Sequence, residues 1–264
     1  MAEGGERMFD AHIHLEKGPY TVGWAECFIA EAQRKGIGEI WLLEHCYLFP
    51  EFVPMYADLR EKNSFIDQWL ARKAGTRSLT EYLRLADAMR CRTYPVKLRF
   101  GLEICYLEGK ESFIRQQTAP LGLDFLAGSV HFADSFAFDH RADLWQGMDV
   151  DTVYRQVFRH SSALADSGLF TGITHPDSVS LFGHTPSYSL TETYGELARK
   201  LAAQGMYAEQ NSGVYRRCPD TAHPGMAPEM LAAMRKYGVR IVTASDAHRP
   251  EDVGEGIAEL TEPL

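Results

Sequence analysis

An α/β barrel is the fold class this sequence predicts, and three observations predict it. Short apolar or β-branched runs alternate with longer amphipathic stretches, which is the rhythm of repeated β-α units. The 264 residues suit one barrel of roughly 250 residues with a substantial core. No internal repeat, low-complexity tract or linker rich in Pro and Gly divides the chain, so residues 1–264 read as one domain, with residues 1–7 as a flexible extension.

Strands are expected at Met8–His14, Glu39–Leu43, Leu98–Ile104, Phe125–Phe132, Phe170–His175, Met206–Asn211 and Val239–Ala244. Helices fill the gaps. Val22–Lys35 carries apolar residues at helical spacing and stops at Gly36, a residue that ends helices readily. Ser78 with Glu81 reads as a capping box for a helix through Met89, and Ser189 with Glu192 as one for a helix through Ala203. Asp149–Ser167 and Pro228–Tyr237 complete the set, the latter ending at Gly238. Cys46–Asn63, with Pro50, Pro54 and several aromatics, reads as an excursion that could cover a site, and Ala133–Gly147 as a second.

The formal charge of −9 and the lack of a Lys/Arg cluster argue against a nucleic-acid surface. No apolar run approaches the ~20 residues needed to span a bilayer. The small, acidic, Gly-rich Met1–Arg7 is not signal-like, which points to a cytoplasmic protein. Five cysteines, an odd number never spaced Cys-x-x-Cys, fit reduced structural thiols. Oligomeric state is not legible.

The chemistry lies in polar residues at the C-terminal ends of the expected strands, the edge where barrel active sites assemble. They are His12 and His14, Glu44-His45, Glu103, His131, His175, Glu209 with Asn211, and Asp246 with His248. Histidines one residue apart on a strand share a face and can grip one cation. Taken singly, each histidine is more often a satisfied structural residue. The joint pattern reverses that weighting. Mixed imidazole and carboxylate ligands suit zinc, manganese or iron, and a carboxylate can bridge two cations about 3.5–4 Å apart; Glu103 is the natural bridge. His184, His140, His160 and His223 carry less weight, and Cys105 reads as barrel packing.

Seven stretches in this order and approximate spacing resemble the PHP (polymerase and histidinol phosphatase) superfamily, most closely its histidinol-phosphate phosphatase type. They are Asp10-Ala11-His12-Ile13-His14, Glu44-His45, Gly101-Leu102-Glu103, Gly128-Ser129-Val130-His131, Thr174-His175-Pro176-Asp177, Glu209-Gln210-Asn211 and Ser245-Asp246-Ala247-His248. The resemblance implies a distorted (β/α)7 TIM-like barrel with two or three divalent transition metals (Zn, Mn or Fe) at its mouth. It implies a first metal on His12, His14, Glu103 and Asp246, a second on Glu103, His131 and His175, and a third on His45 and His248. One departure stands out: a further histidine usual in the superfamily is replaced here by Tyr20, with Glu16 as an alternative oxygen ligand.

The implied activity is hydrolysis of a small phosphate monoester, foremost L-histidinol phosphate in histidine biosynthesis, through a metal-bound hydroxide. Glu103, Asp246 and His248 are the catalytic candidates. Arg216 or Arg217 would bind the phosphate, since a guanidinium fork suits its oxygens, although a solvated basic pair is an equal reading. Glu209 and Asn211 read either as substrate-positioning or as structural hydrogen-bonding residues. The alternatives are a nucleotide phosphodiesterase or exonuclease of the same superfamily, an amidohydrolase, and a metal-binding barrel without turnover.

Overall fold

A computed structural model describes residues 8–261; the expected N-terminal extension lies outside them. Seven parallel strands form one sheet in chain order: β1 (Phe9–Ile13), β2 (Glu39–His45), β3 (Lys97–Cys105), β4 (Phe125–Ser129), β5 (Gly172–Ile173), β6 (Tyr207–Asn211) and β7 (Arg240–Ala244). Beyond β7 the chain returns to β1. His14 N–H donates to Ala247 O at 2.8 Å and Ala247 N–H to His12 O at 3.2 Å. The sheet is thereby a nearly closed (β/α)7 barrel, as the sequence predicts.

Helices alternate with the strands: α1 (Val22–Arg34), α2 (Ala57–Lys62), α3 (Ser64–Lys73), α4 (Leu79–Arg90), α5 (Glu111–Thr118), α6 (Val150–Asp166), α7 (Thr191–Ala203), α8 (Ser212–Arg217), α9 (Pro228–Lys236) and α10 (Ile257–Thr261). Helix α1 buries Ala25, Phe28, Ile29 and Ala32, the face its 3.6-residue period dictates, and Gly36 past its end takes a φ of 74°. Ser78 Oγ accepts from Glu81 N–H at 3.3 Å, which caps α4. The expected cap at Ser189 is displaced: Leu190 occupies the N-cap of α7, and Ser189 Oγ instead accepts from Thr191 N–H.

Alternation along β2 separates two cores. Trp41 and Leu43 point inward to join Ala11, Phe125, Ala127, Tyr207 and Val242, whereas Ile40 and Leu42 enter the larger layer under the helices. Glycines admit the big inner rings. A Cβ on Gly101 would sit 2.5 Å from the Phe125 ring, and one on Gly172 2.3 Å from the Tyr207 ring.

Three strands end sooner than expected, β1 by one residue at Ile13. Strand β4 stops at Ser129, two residues before His131, and β5 shrinks to two residues because the backbone turns at His175, whose φ is 25°. The Cys46 excursion is not a loose cover: Cys46, Leu48, Phe49, Phe52, Met55 and Tyr56 are buried in its short 3₁₀ turns. All five cysteines are free, and among the described residues no helix is long and apolar enough to cross a membrane.

Replacing Gly172 by Ala should destabilise the barrel by about 1–3 kcal/mol through overpacking against Tyr207. Thermal unfolding checks it; an unchanged Tm would remove the close approach as a constraint.

Candidate metal centre

Asp10 fixes the seam on which the centre is built. Its carboxylate is fully buried and accepts from Ser245 N–H (2.9 Å), Ser245 Oγ (2.5 Å) and Gly254 N–H (2.9 Å), tying β1 to the segment after β7. A shift in register between Asp10 and Ile13 against β2 marks a bulge. Such an extra residue re-aims side chains; Ala11 packs inside the barrel while His12 and His14 still converge, their Nε2 atoms 2.8 Å apart.

Around that pair stand Glu103 from β3 and Asp246 from the turn after β7. Asp246 Oδ1 lies 3.6 Å from His12 Nε2 and 3.5 Å from His14 Nε2, and Glu103 Oε2 lies 3.7 Å from each. Four donors about 2.1 Å from a common centre in a tetrahedron stand about 3.4 Å apart; His12, His14 and Glu103 form a group close enough to hold one cation, with Asp246 Oδ1 beside both imidazoles. Glu103 Oε1 faces the other way, 3.2 Å from His131 Nε2 and 3.1 Å from His175 Nε2. His45 Nδ1 comes within 2.6 Å of Glu103 Oε2 without hydrogen-bond alignment, as expected of atoms aimed at a shared point rather than at each other.

A third group joins His14, His45 and His248, and a fourth joins His14, Glu16 and Glu44. Glu16 Oε1 lies 3.5 Å from His248 Nε2, and its Oε2 is buried without a partner. Tyr20 belongs to none of these groups. Its ring packs on Phe49 and Tyr82, and burial with the nearby Glu44 carboxyl pushes its hydroxyl above the ordinary range. Glu44, which sequence reasoning left as a neighbour of His45, faces the helix layer, with Oε1 accepting Leu15 N–H at 2.6 Å and Oε2 unpartnered.

Behind the ligand atoms lie the groups that orient them. Glu209 sits 3.0 Å from His12 Nδ1, and Asp139 Oδ2 sits 2.6 Å from His131 Nδ1. His248 Nδ1 lies 2.9 Å from its neighbour Asp246 O. Pinning the far nitrogen fixes ring orientation and leaves Nε2 for a metal. Asp139 was missed because it lies on an irregular loop; its one sequence signal was the Asp139-His140 pair within the Ala133–Gly147 excursion. The substrate-positioning reading of Glu209 and Asn211 meets a different geometry. Both are buried, and Asn211 Nδ2 donates to Glu209 while its Oδ1 caps α8 through Gly213 N–H.

The charges are mutually dependent. Burial opposes ionisation of Glu103, yet His45, His12, His131 and His175 hold its carboxyl well below the usual range. Asp246 is likewise held low against burial by His12 and His14. Burial and the adjacent His45 and His248 drive His14 down to about 3, while Asp139 overcomes burial to raise His131 to about 10. His175 and Asp246 also adopt left-handed backbone (φ 25° and 54°), a strain that collects at functional sites.

These residues open on a cavity of about 510 Å³ lined by His45, His131, His175, Asp246 and His248 together with Arg216 and Arg217. Arg216 Nη2 donates to Ser245 O (2.6 Å) and Nη1 lies 3.3 Å from Asp252; Arg217 Nη2 donates to Asp139 O (2.8 Å). His184 stays out of the cavity lining and stacks on Trp145, His160 pairs with Asp134, and His223 is exposed.

Known proteins similar to this chain point one way. A family profile described as PHP-associated matches residues 230–264. A probable histidinol-phosphatase of Deinococcus radiodurans is 30% identical over 172 residues, 63% of this chain and 64% of that protein. The chain is similar to proteins of the PHP superfamily. Within it the likeness is to histidinol phosphatases: a probable one from Schizosaccharomyces pombe is 26% identical over 60% of this chain and 58% of its own length. The matched stretches thus span less than two thirds of these PHP relatives. Two solved structures share the fold. A histidinol-phosphatase candidate from Listeria monocytogenes has a TM-score of 0.71 at 16% identity, covering 95% of this chain and 99% of the other. The histidinol phosphate phosphatase of Lactococcus lactis subsp. lactis, solved with zinc, L-histidinol and phosphate, has a TM-score of 0.68 at 17% identity, covering 97% and 95%.

Glu103→Ala should lose metal at two positions at once, read as bound Zn or Mn per chain by elemental analysis; full retention would exclude a bridging carboxylate. Glu209→Gln should weaken metal affinity about 10–100-fold, measured by competition with a chelator, and unchanged affinity would reduce Glu209 to a packing role.

Proposed function

We propose that the chain is a metal-dependent phosphoesterase that hydrolyses a small phosphate monoester, foremost L-histidinol phosphate, to the alcohol and phosphate. The observation that carries this reading is the division of the Glu103 carboxylate, Oε2 toward His12 and His14 and Oε1 toward His131 and His175. That division suits a pair of cations sharing one carboxylate, with Zn, Mn and Fe all compatible with the donor set. A third position would take His45 and His248, with Glu16 rather than Tyr20 beside them. When bound, such ions supply a water activated at neutral pH and neutralise the charge on a phosphoryl group.

The remaining steps fall to the protein. Arg216 and Arg217 project from α8 into the cavity, each hydrogen-bonded on one side to a backbone carbonyl. Five N–H donors per guanidinium leave capacity to receive phosphate oxygens. Of the two proton-donor candidates, Asp246 turns Oδ1 into the first ligand group, whereas the His248 side chain is 30% exposed and lines the cavity. We assign protonation of the leaving oxygen to His248 in the form of the enzyme whose third position is empty, since a cation on Nε2 would leave that nitrogen without a proton. Glu209 and Asn211 position the apparatus from behind, and Glu209 acts through His12. The relatives' names support the choice of substrate, and the arginine pair supports phosphate as the anion.

The deciding experiment loads the protein with Mn²⁺ or Zn²⁺ and compares phosphate release from L-histidinol phosphate with nucleoside monophosphate release from a short oligonucleotide. The monoester should be the better substrate, and Arg216→Ala should raise its KM about tenfold or more, consistent with loss of a charge-assisted contact. Preference for the oligonucleotide would move the chain to the phosphodiesterase reading, and hydrolysis of lactones or amides alone to the amidohydrolase one.

A further inference from the structure

One imidazole on the cavity wall is left outside the ligand groups. His45, His131 and His175 each face the Glu103 carboxylate, and His248 falls in the third group. The acids there are committed as well, Asp246 to His12 and His14 and Asp252 to Arg216. Burial pushes the Tyr47 and Tyr56 hydroxyls well above the ordinary range, so neither gives up a proton readily. His140 lines the same cavity and belongs to none of these groups.

Asp139 fixes where that ring stands. Its Oδ1 lies 2.8 Å from His140 Nδ1 and its Oδ2 2.6 Å from His131 Nδ1, while its backbone O accepts from Arg217 Nη2 at 2.8 Å. One residue thus joins His140 to a metal-facing histidine and to an arginine of the phosphate-receiving pair. Trp69 and Phe132 pack against the ring, with centroids 4.7 and 5.6 Å away, and the side chain is 13% exposed. With Nδ1 turned to Asp139, Nε2 is the nitrogen left for a substrate. Charge then favours a proton on it. Asp139 is 5% exposed, and a buried carboxylate demands a positive partner. Once His131 commits Nε2 as a ligand it carries no extra proton, so the imidazolium facing Asp139 is His140.

We propose that His140, held by Asp139, protonates the leaving oxygen in the form of the enzyme whose third position is filled. As the P–O bond to the alcohol breaks, its electron pair stays on that oxygen and takes the proton from His140 Nε2, giving a free alcohol and a neutral imidazole. The proton released by the attacking water restores the imidazolium. The assignment rests on the phosphatase reading.

The test loads wild type and His140→Gln with Zn²⁺ and checks by elemental analysis that the third position is filled. It then compares L-histidinol phosphate, an alkyl ester, with p-nitrophenyl phosphate, whose phenolate leaves without a proton. Loss of the acid should lower kcat/KM for the alkyl ester about 100-fold while leaving the aryl ester within about threefold. Equal losses on both esters, or none on either, would overturn the assignment. A fully active protein with no ion at the third position would overturn it too, since His248 then suffices. If His140→Gln loses metal or fails to fold, His140→Asn repeats the comparison; the same defect in both would mark His140 as a structural support and reject its role as an acid. A wild type inert toward both esters would instead sink the phosphatase reading.

Discussion

One buried carboxylate constrains everything around it. Glu103 is 1% exposed and remains ionised only because imidazoles from other strands and their loops face both of its oxygens. Burying a charge without partners is prohibitive, and removing one member of a buried charged network leaves the rest uncompensated. The positions of His12, His45, His131 and His175 are therefore coupled to one another through a residue in the middle of the sheet order. The barrel supplies that coupling cheaply. In the parallel register β2 places His45 opposite Glu103, and the carboxylate needs only ordinary strand geometry to reach its neighbour.

Closure of the barrel makes the remaining half of the centre. His12 and Asp246 are separated by most of the chain, and they meet because Asp10 draws the segment after β7 onto β1. Burial raises the Asp10 carboxyl against its hydrogen-bond donors from Ser245, Gly254 and His12. Ionised, it is an acceptor for several N–H and O–H groups at once, a task no neutral side chain of its size performs equally. The bulge in β1 then turns His12 toward the mouth without expelling Ala11 from the inner core.

Much of this was legible in the sequence for a definite reason. Periodicity and stop signals locate strands, and strand ends in a barrel converge, so a histidine or carboxylate after each apolar run identifies the mouth. The positions of His12, His14, His45, Glu103, His131, His175, Asp246 and His248 were readable that way. What periodicity omits is depth. Glu209 and Asn211 occupy the same strand end as the others but lie behind His12, and Asp139 reaches His131 from a loop that has no period at all. The early end of β5 was equally hidden, because the turn at His175 follows from its left-handed backbone and not from a residue type that announces one.

The Tyr20 position shows how a missing ligand can change the layer beneath a site. The tyrosine ring turns into the aromatic packing of Phe49 and Tyr82. Its hydroxyl ends buried and unpartnered near Glu44, whose carboxyl is pushed well above the usual range by burial and by Glu16. A neutral Glu44 costs less at that depth than a second carboxylate anion would. Glu16 is different: burial works against its charge, but His14, His248 and His45 hold its carboxyl low. Two acids a short distance apart are thus driven in opposite directions, and the anionic one is the one beside His248. A carboxylate beside His14 and His248 gives that edge of the cluster a harder donor than an imidazole, of the kind that suits cations accepting oxygen ligands.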